Sequence, residues 1–162
     1  MEQRIYRLIS PFIVVLLFCG ALAGCKGTPV PPVNKTREGL AIKGYDPVAY
    51  FTEGNPLPGL SAHEFKWRGA TWRFINAEHR AMFRLYPERY APRYGGYCAY
   101  AVSQGKTADI DPDAWTIVDN RLYLNLNKDV QGLWEKDRRE YIRKADENWP
   151  HLLGKSPRPD NN

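Results

Sequence analysis

The residues best suited to chemistry lie in one stretch, Tyr94 to Tyr100, with the sequence Tyr-Gly-Gly-Tyr-Cys-Ala-Tyr. Its centre is Cys98, because a thiolate is both a nucleophile and a soft metal ligand. Gly95 and Gly96 permit a sharp bend, or a close approach of the backbone to a ligand, just before the sulfur. A helix starting near residue 97 would place the sulfur in its first turn, where the helix dipole favours the thiolate. The stretch predicts a reactive or ligating thiol; the alternative is a cysteine packed in the core, where free cysteines are common.

Four residues are candidates for binding around this thiol. Arg93 supplies a cation that would favour the thiolate. Tyr94, Tyr97 and Tyr45 have apolar rings with polar tips and would line a ligand pocket. The alternative for these aromatic residues is a place in a small hydrophobic core.

Two histidines are candidate metal ligands together with Cys98. Copper and zinc both accept imidazole and thiolate, so His79, His63 and Cys98 predict a site for one of these metals with open positions. The alternative is that both histidines are surface or capping residues. No Ser-His-Asp order, phosphate-binding loop or dinucleotide fingerprint occurs in the sequence, so no enzyme class is indicated.

The start of the chain has the pattern of a secretory signal. Arg4 and Arg7 precede an apolar stretch, residues 11–21, that is too short to span a bilayer, for which about 20 residues are needed. Leu22-Ala23-Gly24-Cys25 then resembles the bacterial lipobox, in which the chain is cleaved before a cysteine that carries lipid. The pattern predicts a signal peptide over 1–24 and lipidation of Cys25. An ordinary signal peptide and an uncleaved anchor are the alternatives.

This processing would change the charge and the thiol count. Removal of residues 1–24 takes away Arg4, Arg7 and Glu2 and lowers the formal charge from +5 to +4. Cys19 leaves with the signal and Cys25 becomes a thioether, so Cys98 is the single remaining thiol. The cations alternate with acidic residues and form no long basic run, which excludes nucleic acid as an expected partner.

The expected location is the periplasmic face of a bacterial envelope, with the membrane contacted through the N-terminal lipid. Lys26 stands where an inner-membrane retention signal usually has Asp, and this favours the outer membrane. Residues 25–39 are rich in proline and predict an extended tether. A single domain is expected over 40–153, and a polar, disordered tail over 154–162.

Periodicity predicts a small α+β fold. Aromatic strands flank Arg68-Gly69 and Asp119-Asn120, which predicts two antiparallel hairpins, expected to form one sheet with helices packed on it. Asn76 is expected to cap a helix over 77–86. Asn127 is expected to cap a long amphipathic helix over 128–148 that ends before Pro150.

Asp46-Pro47-Val48, the segment from Trp72 to Phe83, and Pro87 to Tyr90 together resemble the YHS domain, a small metal-associated module. The pattern of that family is D-P-V-C, then aromatic-x-F-C-S-x-x-C-x-x-x-F, then P-x-x-Y. The region from Ile42 to Pro150 is similar to a periplasmic subgroup that carries G-Y-D-P-V-A-Y-F, Y-G-G-Y-C-A and A-D-x-x-W-P.

The resemblance implies a fold more strongly than a metal site. The three cysteine positions of the metal-binding pattern hold Ala49, Ile75 and His79 here, so a thiolate cage cannot form. Some members of the subgroup have selenocysteine at the position of Cys98, which implies chemistry at the chalcogen. The predicted function is a thiol-centred binding or redox site at Cys98. The alternatives are a binding or scaffold lipoprotein with a structural cysteine, or a weak copper or zinc carrier; the partner, protein or small molecule, is unknown.

Overall fold

The computed structural model describes residues 28–155, and it has the α+β fold that the sequence predicts. The strands are β1 (Leu60–Trp67), β2 (Ala70–Phe74), β3 (Asp111–Val118) and β4 (Arg121–Asn125). The helices are α1 (Ala49–Thr52), α2 (Ala77–Leu85), α3 (Pro87–Tyr90), α4 (Ala99–Ser103), α5 (Lys128–Glu135) and α6 (Arg138–Leu152). Two 3-10 turns, Ile42–Gly44 and Arg93–Gly96, precede α1 and α4.

Both hairpins turn through two residues with positive φ. Arg68 and Gly69 have φ of 48° and 74°, and Asp119 and Asn120 have φ of 49° and 57°. Two left-handed residues give a turn whose twist matches that of the strands, which explains why glycine and asparagine occur here. The predicted hairpins are therefore confirmed.

The two hairpins do not join into one sheet, and this part of the prediction is wrong. Among the described residues, β1 pairs with β2 and β3 with β4, each as a separate two-stranded antiparallel sheet. Other segments pair with β2 and β4 instead: Leu40 bridges Thr71 of β2, and Cys98 bridges Leu124 of β4. These bridges occupy hydrogen-bonding positions that a neighbouring strand would need.

Asparagine side chains begin two of the helices, as expected. Asn76 accepts a hydrogen bond from the backbone N–H of His79 at 2.7 Å, and Asn127 accepts one from Val130 at 2.9 Å. Each bond satisfies one of the N–H groups that have no partner inside the helix.

The predicted long C-terminal helix consists of two helices. It is interrupted at Asp137, whose φ of −148° and ψ of 52° lie outside the helical region, so α6 starts a new direction at Arg138. Pro150 does not end α6, which continues to Leu152. A proline near the last turn removes one N–H donor but leaves most of the helix intact.

The core has two clusters. The first lies under β1, β2 and α2, where Trp72, Phe74 and Phe83 are fully buried. The second joins α4, α5 and α6 around Trp134 and Ala145. Within residues 28–155, no helix is both long enough and apolar enough to cross a membrane.

The segment predicted as a tether is packed against the domain from residue 30 onward. We call residues 30–35 the N-terminal strap. The Val30 N–H donates to the carbonyl of Leu152 at 3.0 Å, and the Asn34 N–H donates to the carbonyl of Gly95 at 2.9 Å. Val33 is only 2% exposed. The folded unit thus begins before residue 40, because Val33 buries its side chain in the first cluster; residues 25–27 and 156–162 lie outside the described residues.

A pair of glycine substitutions tests this packing. Both Gly95 (φ 61°) and Gly69 (φ 74°) are left-handed, but a Cβ atom at Gly95 would collide with the carbonyl group of Pro32, whereas a Cβ atom at Gly69 would meet nothing. We expect Gly69→Ala to lower the free energy of unfolding by about 1–2 kcal/mol through backbone strain alone. Gly95→Ala should cost roughly 1–3 kcal/mol more through the collision. Equal losses in urea denaturation would show that the strap does not pack on Gly95.

Candidate functional site

Cys98 lies at the start of α4, but it is a buried residue. Only 1% of it is exposed, and it belongs to the first core cluster. Its N–H donates to the carbonyl of Ala108 at 3.1 Å. The helix α4 has only five residues, Ala99 to Ser103. Because the dipole of so short a helix is small, it gives little support to the predicted stabilisation of the thiolate.

The polar contact of the thiol is an amide in the core. Cys98 Sγ lies 3.7 Å from Asn125 Oδ1, and the same oxygen accepts the N–H of Tyr100 at 3.2 Å. Asn125 is fully buried, at the end of β4. Asn125 therefore links β4 to α4, and the thiol takes part in this link from inside the core.

Arg93 and Tyr94 are directed to α6 rather than to the sulfur. Arg93 Nη2 donates to Asp146 Oδ1 at 2.6 Å, and the Tyr94 hydroxyl donates to the same oxygen at 3.0 Å. Burial raises the pKa of Tyr94 well above its usual range, and the negative charge of Asp146 raises it further. This pair holds the 3-10 turn against α6.

The other two tyrosines do not collect around Cys98 either. Tyr97 packs on Trp149, with ring centroids 6.0 Å apart, at the second cluster. Tyr45 lies at the edge of the first cluster and forms a bridge with Pro58. The structure thus distributes the predicted binding residues between two clusters.

The three predicted metal ligands are not brought together. No group of three or more His, Cys, Asp or Glu residues within 28–155 is arranged to hold a metal ion. His63 is a half-buried residue of β1. His79 has other partners, and so does Cys98.

The partner of His79 is Asp46, and this pair forms a buried polar site with several hydrogen bonds. Asp46 is fully buried, and its Oδ2 lies 2.7 Å from His79 Nδ1. The tautomer of His79 with its proton on Nδ1 donates to this oxygen. On the other side of the ring, Nε2 lies 3.3 Å from Thr52 Oγ1 and 3.8 Å from Glu53 Oε1.

Asp46 also accepts three backbone N–H groups. Its Oδ1 accepts from Val48 at 2.8 Å and from Ala49 at 3.3 Å, and its Oδ2 accepts from Ile75 at 2.8 Å. Asp46 therefore binds the first N–H groups of α1, but its pairing with His79 was not predicted from the sequence. A signal was present, because His79 is the third residue of α2, and side chains at that position can fold back toward the start of a helix.

A cavity of about 410 Å³ lies away from the thiol, between the N-terminal strap, the 3-10 turn at Arg93 and the end of α6. Its charged residues include Arg68, Arg121 and Lys155, none of which belongs to the predicted site. Two predicted binding residues, Arg93 and Tyr94, also line it, but the sequence did not predict the other cations because they come from distant parts of the chain.

No family model, no curated protein and no solved structure matches this chain. The resemblance to the YHS domain therefore stays a prediction from the motifs.

Substitution of Asp46 tests the role of the buried polar site. Asp46→Ala leaves three N–H groups and the imidazole without their acceptor, and removal of one partner from a buried pair costs about 3–5 kcal/mol. The control Asp137→Ala removes an exposed carboxyl group without a capping bond, and should change stability by less than about 0.5 kcal/mol. Chemical denaturation of both variants measures the difference; similar stabilities would show that Asp46 does not organise the fold.

Proposed function

We propose that the protein is a lipid-anchored binding protein at the periplasmic face of the bacterial envelope, YHS-like in its motifs, in which Cys98 is a structural residue. This is the alternative to the thiol-centred function predicted from the sequence. The proposed anchor is Cys25, and the proposed membrane is the outer membrane, because Lys26 follows the lipidated residue.

The observation that carries the proposal is the burial of Cys98. A reactive thiol needs access for its substrate and a setting that favours the thiolate. Cys98 is 1% exposed and its sulfur contacts Asn125 inside the core. No Lys, Arg or His side chain is bonded to the sulfur among the described residues. These facts favour packing over chemistry as the role of the cysteine.

The position of the strap supports a function close to the membrane. Val30 already bonds to Leu152, and it is five residues from Cys25. Five residues span at most about 18 Å. A lipid on Cys25 would therefore hold the domain near the bilayer surface, because the linker between lipid and domain is short.

The metal-carrier alternative has less support. Its three ligands do not form a group that could hold a metal ion, and His79 Nδ1 already lies 2.7 Å from Asp46 Oδ2. The thiol-centred function is the second candidate, and the experiment below compares it with a structural role of Cys98.

Alkylation of the thiol distinguishes the two functions. An unperturbed cysteine has a pKa of about 8.5, so about 3% is thiolate at pH 7 and reacts with iodoacetamide at a measurable rate. We expect Cys98 in the folded protein to react at least about 100-fold more slowly than glutathione, because reagent reaches it only when the core opens. Peptide mapping locates the label, and labelling in urea should be complete.

An exposed thiol in the same fold supplies the control. Ser61 is an exposed residue of β1, so Ser61→Cys should react at about the rate of glutathione while Cys98 stays unlabelled. Labelling of native Cys98 as fast as that of the introduced thiol would overturn the structural role.

The anchor has its own test. Cys25→Ala should release the protein from the membrane fraction, since the lipid attachment site is lost. Cys19→Ala, in the apolar stretch of the signal, should leave the protein in the membrane fraction and is the matched control. Retention of Cys25→Ala after high-salt washing would contradict the lipoprotein proposal.

A further inference from the structure

The cavity at the N-terminal strap has the size of a small-molecule site. Its volume is about 410 Å³, within the range of about 300–1,000 Å³ that is typical of ligand pockets. Pro32 and Val33, near the start of the described chain, form one wall, and Leu153, near its end, also lines the cavity. Residues from both ends of the described chain line the cavity beside the 3-10 turn.

The charge of the cavity is positive. Arg68, Arg93, Arg121 and Lys155 line it together with a single acidic residue, Glu88. The carboxyl group of Glu88 is paired with Arg68 at 2.6 Å. The lining thus has three more cations than carboxylates.

Two of these cations have no carboxylate of their own. Arg121 Nη1 donates to the backbone carbonyl of Glu88 at 2.9 Å, which satisfies a donor but does not neutralise the charge. Among residues 28–155, no Asp or Glu forms a salt bridge with Arg121 or with Lys155. An anion in the cavity would supply the missing charge.

Arg93 adds unused donors. A guanidinium has five N–H donors, and the bonds of Arg93 to described residues run from Nη2 to Asp146. Its Nε is buried without an acceptor among the described residues. A buried donor without a partner is costly, and a polar ligand nearby would lower that cost.

The remaining walls are aromatic. Trp67 and Trp149, both half-buried, line the cavity above the buried rings of Trp72 and Tyr94, and the guanidinium of Arg68 lies 4.5 Å from the ring centroid of Trp67. Such walls favour a planar apolar group, since aromatic faces stack on flat ligands and exclude water from the neighbouring charges.

A neighbouring cavity of about 510 Å³ lacks these features. It shares Glu88 and Arg121, and it is also lined by Arg89 and Asp119, so its cations and carboxylates are equal in number. The excess of cations over carboxylates is therefore found in the cavity at the strap and not in its neighbour.

We propose that the cavity at the strap binds a small amphiphilic anion, with its carboxylate, sulfonate or phosphate group at Arg121 and Lys155 and its apolar body against the indoles. This proposal names the ligand class of the proposed binding function and rests on it. A free metabolite and an anionic lipid headgroup share this chemistry, and the experiment separates them.

The test uses the full protein in nanodiscs of neutral phosphatidylcholine and measures binding by isothermal titration calorimetry. The probe is naphthalene-2-sulfonate. Naphthalene-2-sulfonamide has the same shape without the charge, and inorganic phosphate has the charge without the apolar body. We expect the sulfonate to bind at least about tenfold more tightly than either; equal affinity for the sulfonate and the sulfonamide would overturn the proposal.

Variants connect the affinity to the cavity. The double variant Arg121→Gln/Lys155→Gln should lose about tenfold in affinity for the sulfonate, which corresponds to about 1.4 kcal/mol. Both residues are exposed, so the midpoint of chemical denaturation should be the same as that of the unaltered protein. The matched control Lys136→Gln/Arg139→Gln removes two exposed cations outside the cavity and should keep the affinity within twofold. Equal losses in the two double variants would mean non-specific attraction to a basic surface and would overturn the proposal.

Nanodiscs containing phosphatidylglycerol identify the source of the anion. Loss of sulfonate binding in these discs would support the anion site and assign it to a lipid headgroup; unchanged binding would support it and assign it to a soluble molecule. Failure of the sulfonate to bind while Cys98 resists alkylation would reject the ligand class alone. Rapid alkylation of native Cys98 would instead reject the proposed function.

Discussion

The carboxyl group of Asp46 is the interaction on which the first half of the domain depends. It has no contact with solvent, and its two oxygens accept four donors from three separate segments: the start of α1, the residue after β2, and the imidazole in α2. A buried carboxyl group is tolerable only when its hydrogen-bonding capacity is met, so these segments must take one relative position. The aromatic core under β2 then packs in the space that this arrangement leaves.

The second half of the domain depends on a different constraint, the close passage of the N-terminal strap over the 3-10 turn. The carbonyl of Gly95 accepts the Asn34 N–H, and a side chain at Gly95 would meet the backbone of Pro32. Two glycines before the cysteine thus serve backbone packing. The sequence predicted a sharp bend or a close approach to a ligand at these glycines; the bend is present, and the close neighbour of Gly95 is the backbone of Pro32.

The distribution of charge separates the thiol from the proposed site, although Arg93 and Tyr94, predicted around the thiol, line the cavity. Cys98 has an uncharged setting inside the core, with Asn125 as its polar contact. Four cations line the cavity at the strap, and two of them, Arg121 and Lys155, have no carboxylate partner among the described residues. The proposed binding role therefore depends on the cavity, and Cys98, which is buried in the core, is not part of the cavity lining.

The sequence by itself determined the local elements. Positive-φ turns at Arg68-Gly69 and Asp119-Asn120, caps at Asn76 and Asn127, and the α+β class follow from interactions between residues a few positions apart, and local patterns encode these well. The signal and lipobox motifs are equally local, although they lie outside the described residues.

The tertiary structure alone decided how the distant elements meet. It paired His79 with Asp46, 33 residues away, buried Cys98 beside Asn125, kept the hairpins apart, and turned part of the expected tether into a packed strap. None of these contacts has a spacing rule, because each depends on how side chains from remote segments fill one space and satisfy each other's buried polar groups. The cavity could not be predicted from the sequence for the same reason. The cations that line the cavity come from four segments that only the folded chain brings together.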